Sequence, residues 1–261
     1  MSTRFTPGPA QNRGERIMPY RVFNTEEVAK YLHLTLADVE RLLKDDAIPH
    51  EVRGHRPVFR KRDIDAWASQ RILGMKDRRL AEYHQKLSHG ARSVLPNDAI
   101  MPEMIQPGYI DAAMSAKTKA SALRGMVALA ERTGLVYEPR DLLSSLEARE
   151  EICPTAIPGG LALLHPRYHQ PYRFESSFIV LARPVQEIHF GAPDGKPTDL
   201  FFLICCQDDR IHLHTLARLC MMAQKTDLLS QLRAAPDAAA MHEHILAAEA
   251  EVLKGKKPSA S

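Results

Sequence analysis

Two short apolar runs, Leu161–Leu164 and residues 200–206, constrain this chain most. They are far too short to span a bilayer, and they suit strands buried inside a protein. Helical patterns lie around them. Residues 119–133 place Leu123, Met126, Val127 and Leu129 on one face. Residues 139–150, opened by Asp141, and 215–223 read as further helices, as do residues 238–253, where Met241, Ile245, Leu246 and Val252 can pack. Strands are expected at 161–164, 177–182 and 198–205. Helices alternating with strands predict an α/β fold: a central mixed sheet with helices on both faces.

The 261 residues allow one large or two modest domains. Hydrophobic residues make up 44% and charged residues 26%, as in an ordinary soluble globular protein. A net charge of +3 does not point to nucleic acid, so any such reading must rest on local clustering. The four cysteines show no CxxC spacing, which argues against a zinc ribbon or a disulfide scaffold and fits a reducing cytoplasm. The first residues are polar and include Pro7, Gly8 and Pro9, unlike a signal peptide.

Five regions are expected: a disordered tail over 1–18, a compact module over 19–72, a helical linker over 73–102, an α/β domain over 103–253 and a flexible tail over 254–261. In the compact module, Asn24 with Glu27 and Thr35 with Asp38 form capping-box patterns for two helices joined by a tight turn. The segments 48–53 and 57–60 flank Gly54-His55-Arg56 and read as a β-hairpin, and a third helix is opened by Asp63. This module resembles the excisionase/MerR-like winged helix-turn-helix, on the run 23–32, the turn 45–49 and the stretch 59–67. The resemblance implies that the helix over 35–45 enters the major groove and that the hairpin lies along the backbone. Arg41, Lys44, Arg53, Arg56, Arg60, Lys61 and Arg62 are the expected DNA contacts. Asp38 is explained by capping; Glu40, on the same helix, is not.

His165 follows the apolar run 161–164, with Gly159-Gly160 turning the chain before it. Histidine suits phosphoryl chemistry because its neutral ring nitrogen is nucleophilic near pH 7. The pattern Arg149-Glu150, then Thr155-x-Ile157-x-x-Gly160-Leu161-Ala162-Leu163-x-His165, resembles the active-site stretch of the fructose/mannitol-type enzyme IIA domain of the phosphoenolpyruvate-dependent sugar phosphotransferase system, which includes the nitrogen-related regulators. The downstream run 184–204 and His212-Leu213, read as the start of a helix, extend the match. The family usually has Pro before its active histidine and Gly after it; this chain has Leu164 and Pro166.

The resemblance implies that His165 is the phosphoacceptor, that Arg149 and Thr155 supply donors, and that His212 orients the ring or bonds the phosphoryl group. His214, two residues on, points elsewhere on a helix. A cytoplasmic regulator follows: a phosphohistidine carrier rather than a turnover enzyme, loaded by an HPr-like donor and coupled to DNA. A regulatory partner protein and a homodimer are further expectations. No cofactor and no metal are expected, since His212-x-His214 and His242-x-His244 fall in helices, where neighbours two apart diverge. Two other readings stand beside it: a docking or sensor module without phosphotransfer, and a transport component passing phosphate to an enzyme IIB.

Overall fold

The computed structural model describes residues 22–91, 97–167 and 173–254. The tail expected over 1–18, residues 92–96 of the expected linker and residues 255–261 lie outside them.

The N-terminal part folds as β1 (Val22–Phe23), α1 (Thr25–Tyr31), α2 (Leu36–Lys44), β2 (Glu51–Arg53), β3 (Arg56–Arg60) and α3 (Lys61–Gly74). Both capping boxes form. The Asn24 side chain accepts from the Glu27 N–H at 2.9 Å, and the Thr35 side chain from the Asp38 N–H at 3.1 Å, satisfying N–H groups that a helix start would leave unpaired. The three strands pair in the order β1-β3-β2, all antiparallel. Gly54 and His55 form the two-residue hairpin turn with φ of 54° and 64°, the left-handed pair of a type I′ turn. Arg56, expected in the turn, is the first residue of β3. Helix α3 starts two residues before Asp63, with Arg60 at its N-cap and no side-chain cap bond; Asp63 lies in its first turn.

Helix α4 (Asp77–Ala91) differs from a linker. Leu80, Tyr83, His84, Leu87 and Ser88 are buried along one side, and this helix packs on α8 (Asp209–Lys225). The i, i+3, i+4, i+7, i+8 spacing of those five explains the packing, but three of them carry polar atoms, which hid the stripe in the sequence.

Next come α5 (Met101–Met104), a 3₁₀ turn (Pro107–Tyr109), β4 (Ile110–Met114), α6 (Lys119–Glu131), α7 (Pro139–Glu150), β5 (Ala156–Ile157), β6 (Leu161–Leu164), β7 (Phe178–Pro184) and β8 (Leu200–Cys205). After α8 the chain adds α9 (Leu228–Ala234) and α10 (Ala238–Lys254). The sheet order is β4-β7-β8-β6-β5, with β4/β7 and β6/β8 parallel and the other neighbours antiparallel. This is the expected mixed α/β sheet with helices on both faces. Glu138 stands at the N-cap of α7, with Asp141 inside the first turn. Helix α8 begins earlier than expected because the Asp208 side chain accepts from the Arg210 N–H at 2.8 Å, so His212 lies inside the helix.

Strand alternation divides the core. Val180, Ala182, Phe201, Leu203, Ala162 and Leu164 face α6 and α7. Ile179, Leu181, Leu200, Phe202, Leu161 and Leu163 face the other side and join one apolar mass with α8, α9, α10, α4 and the interior of the N-terminal module. Each such aliphatic or aromatic side chain contributes about 1.5–3 kcal/mol on full burial. A buried clamp ties this second side. Arg218 reaches Glu249 at 2.5 Å and His84 Nε2 at 2.9 Å, while the Glu249 carboxylate accepts the N–H groups of Ile100 and Met101 at 3.0 and 2.9 Å. Burial lowers the pKa of Arg218 while Glu249 raises it back in part.

Candidate functional site

Strand β6 carries Leu161 and Leu163 toward α8, and its alternation continued by one residue past the strand end puts His165 on that face. The ring is 2% exposed. Its Nδ1 lies 2.9 Å from the Leu163 carbonyl. A carbonyl only accepts, so Nδ1 carries the proton. Arg149 Nε donates to Nε2 at 3.1 Å, so Nε2 holds the lone pair. The two contacts together select the neutral tautomer with Nε2 as nucleophile.

Arg149 lies in the last turn of α7 and is 1% exposed. Its Nη1 donates to the Cys153 carbonyl at 2.8 Å, while Nη2 is buried and has no hydrogen-bond partner among the described residues. Burial lowers this guanidinium's pKa, and the nearby Glu150 charge raises it back in part. An uncommitted cationic donor beside a nucleophilic nitrogen is suited to an anion held at that nitrogen.

His212, from the first turns of α8, faces His165 with ring centroids 4.9 Å apart. Its Nε2 lies 3.3 Å from Ser69 Oγ, on α3 of the N-terminal module. His214 turns away and stacks on His84 at 4.9 Å. Thr155 is buried, but its hydroxyl donates to Glu150, and its N–H goes to the same carboxylate at 3.1 Å. Lys119 completes that group, 2.9 Å from Glu150. The structure thus places Thr155 on Glu150, and a donor role toward His165 would require its hydroxyl to rotate away.

Gly159 and Gly160 have φ of 98° and 79° and turn the β5–β6 hairpin at the end of β6 opposite His165. The φ of 79° at Gly160 is a conformation that side-chain-bearing residues rarely adopt, and a Cβ there would also displace the ends of Arg233 and Asp199, 2.6 and 2.7 Å away. After His165, Pro166 has no N–H, and the Arg167 N–H donates to Ser145 Oγ at 3.1 Å. Arg167 and Ser69 escaped the sequence reading, and Glu150 entered it as part of the motif without a role of its own. Arg167 carried a signal in its position two residues past His165; Ser69 carried none.

The expected DNA contacts separate into two groups. Lys44, Arg53, Arg56 and Arg62 are exposed, as is Arg41, which Asp38 holds at 2.6 Å. Arg53 and Arg60 share Glu51, and Arg62 pairs with Asp63 at 3.3 Å. Lys61 departs from the expectation. It is buried, 2.8 Å from Asp65 and 2.6 Å from Asp209, because helix α3 turns it inward against α8 rather than outward with the hairpin.

With this geometry in place, comparison with known proteins gives the class. The chain belongs to the phosphoenolpyruvate-dependent sugar phosphotransferase system EIIA 2 family, whose sequence model matches residues 103–248. A helix-turn-helix domain matches residues 22–72. Its relatives include the nitrogen regulatory protein of Bradyrhizobium diazoefficiens, 32% identical over 148 residues, which span 56% of this chain and 90% of the relative. The nitrogen regulatory protein of Pseudomonas aeruginosa is 26% identical over 148 residues, 56% of this chain and 94% of that one. Among solved structures, the nitrogen regulatory protein IIA-Ntr from Neisseria meningitidis has the same fold, with a TM-score of 0.51 at 23% identity, covering 58% of this chain and 99% of that one. No helix of the described residues is long and apolar enough to cross a membrane.

Proposed function

We propose that this protein is a cytoplasmic, phosphotransferase-linked regulator of the nitrogen-regulatory kind, which accepts a phosphoryl group on His165 and couples it to DNA binding. The observation that carries the reading is the Leu163–His165–Arg149 chain of contacts, which leaves Nε2 nucleophilic beside a buried guanidinium with one unclaimed donor. In the transfer, the phosphorus–nitrogen bond of a donor phosphohistidine breaks as one forms at His165 Nε2. The donor ring leaves with its electron pair, and His165 keeps its Nδ1 proton on Leu163. Arg149 shifts its donors to the phosphoryl oxygens, and His212 orients the acceptor from the other side. The donor fits an HPr-like carrier or its nitrogen-branch counterpart. The exposed cations of α2 and the β2–β3 wing contact DNA phosphates.

The test uses a phosphoenolpyruvate-driven relay and intact-protein mass spectrometry. Wild type is expected to gain one phosphoryl group, and His165→Ala none; equal labelling of both rejects the mechanism. For DNA, fluorescence anisotropy at two salt concentrations is expected to show binding that weakens steeply with salt, and salt-insensitive or absent binding rejects that half.

One observation favours a second reading, a docking or sensor module without phosphotransfer. Pro166 and the Ser145-bound Arg167 N–H leave neither of the two residues after His165 with an uncommitted backbone donor for a phosphoryl group. Absence of labelling with partner binding intact would support it. A transport role is the reading to adopt if the labelled protein passes phosphate rapidly to a sugar-specific enzyme IIB.

A further inference from the structure

Helix α3 has two stripes. Ile64, Ala68 and Ile72 are apolar and buried, as an amphipathic helix requires. Lys61, Asp65 and Ser69, four residues apart in turn, are polar and buried as well. This second stripe meets α8. Lys61 Nζ bridges Asp65 and Asp209, Tyr31 Oη donates to Asp65 at 2.5 Å, and Ser69 Oγ stands 3.3 Å from His212 Nε2. Asp209 and His212 are three residues apart and share one face of α8. The surface that presents His212 to His165 is therefore the surface on which the helix-turn-helix module sits, and both rings are almost fully enclosed.

Resting on the reading of His165 as phosphoacceptor, we propose that α3 and the incoming phosphohistidine carrier compete for this one face of α8, so that phosphorylation of His165 displaces α3 from it. A protein donor needs His165 Nε2 within bonding distance of its own phosphorus, and a residue 2% exposed does not offer that while His212, held by Ser69 of α3, lies against it. The polar stripe is made of groups that water can solvate, and it lies beside the apolar Ile64, Ala68 and Ile72 of the same helix, whereas α4 holds α8 through Leu80, Tyr83 and Leu87 and through the Arg218–His84 bond. The turn between α3 and α4 is then the hinge. Charge favours the same outcome. Lys61 bridges the two carboxylates Asp65 and Asp209, and the phosphoryl group adds close to two further negative charges on the same side of α8. Phosphorylation thereby frees the α3 side of the DNA-binding module, and the unphosphorylated form keeps it fastened.

The full-length protein tests this. Initial rates of phosphoryl transfer from a phosphorylated HPr-type carrier are compared for wild type, Lys61→Gln and Ser69→Arg, each checked by circular dichroism and melting. Loosening the contact by one charge-assisted hydrogen bond should raise the rate roughly tenfold. Alongside, hydrogen exchange of wild type with and without phosphorylation should show faster exchange in residues 61–74 after phosphorylation, a measurement that needs no variant. Rates equal to or below wild type in well-folded variants, with unchanged exchange in 61–74, overturn the competition while leaving His165 as the phosphoacceptor. Absence of label on wild type and both variants overturns the phosphoacceptor reading, and the competition with it.

Discussion

Arg149 does three things with one side chain: it donates to His165, it donates to the Cys153 carbonyl, and it keeps Nη2 unpaired in a buried position. Lysine has the charge without the planar fork and cannot reproduce that geometry. Arg149→Lys is therefore expected to slow phosphoryl acceptance about 10²-fold, the scale of losing one preorganised donor, in an initial-rate assay with the melting curve as control. A rate within threefold of wild type would show that position 149 supplies only charge. At this scale the sequence revealed much of the pocket. His165, Arg149 and His212 come together as their pattern implied. Thr155 is bound to Glu150 instead, because a buried carboxylate five residues away takes the nearest hydroxyl and N–H. Ser69 stayed hidden because its contact crosses 143 residues of chain.

Among the elements, the wing is the part whose chemistry is open to solvent. Arg56 is exposed on β3 beside the type I′ turn. Arg56→Ala should weaken DNA binding similarly across sequences and lower the slope of log K against log salt by about one, read from anisotropy titrations. An unchanged slope would remove Arg56 from the phosphate contacts. Lys61 behaves differently because α3 buries it. Burial lowers its pKa, but Asp65 and Asp209 outweigh that and raise it above 10.5. A raised lysine stabilises the fold fully below its ordinary value of about 10.5 and loses that contribution as pH climbs through its higher folded value. Melting temperature followed upward from pH 8 should thus hold its Lys61-dependent part to about pH 10 and shed it beyond, with the loss absent in Lys61→Gln. Capping boxes and the apolar strands β6 and β8 were legible because their signals are local. Strand β4 was not: Ile110-Asp111-Ala112-Ala113-Met114 has one β-branched residue, and it forms at the sheet edge because β7 offers it a parallel neighbour. Lys61 of the α3 polar stripe was read as DNA-facing because charge in a sequence does not say which way a helix turns.

The whole molecule is held on one side by a continuous apolar mass that runs from Phe23 and Ile64 through Leu80 to Leu216, Ile245 and Val252. Domains with small polar contacts move and melt independently, and a large apolar junction couples them. The unphosphorylated protein is expected to unfold in one calorimetric transition, with van't Hoff and calorimetric enthalpies equal. Two resolved transitions would show that the helix-turn-helix module is only loosely held. Glu249 on the last helix fixes the N–H groups of Ile100 and Met101, and Arg218 with them. During synthesis the wing-bearing segment leaves the ribosome long before that glutamate does, and nascent chains fold from the N-terminus onward. A newborn copy therefore passes through an interval in which its helix-turn-helix part is already shaped and nothing yet restrains it.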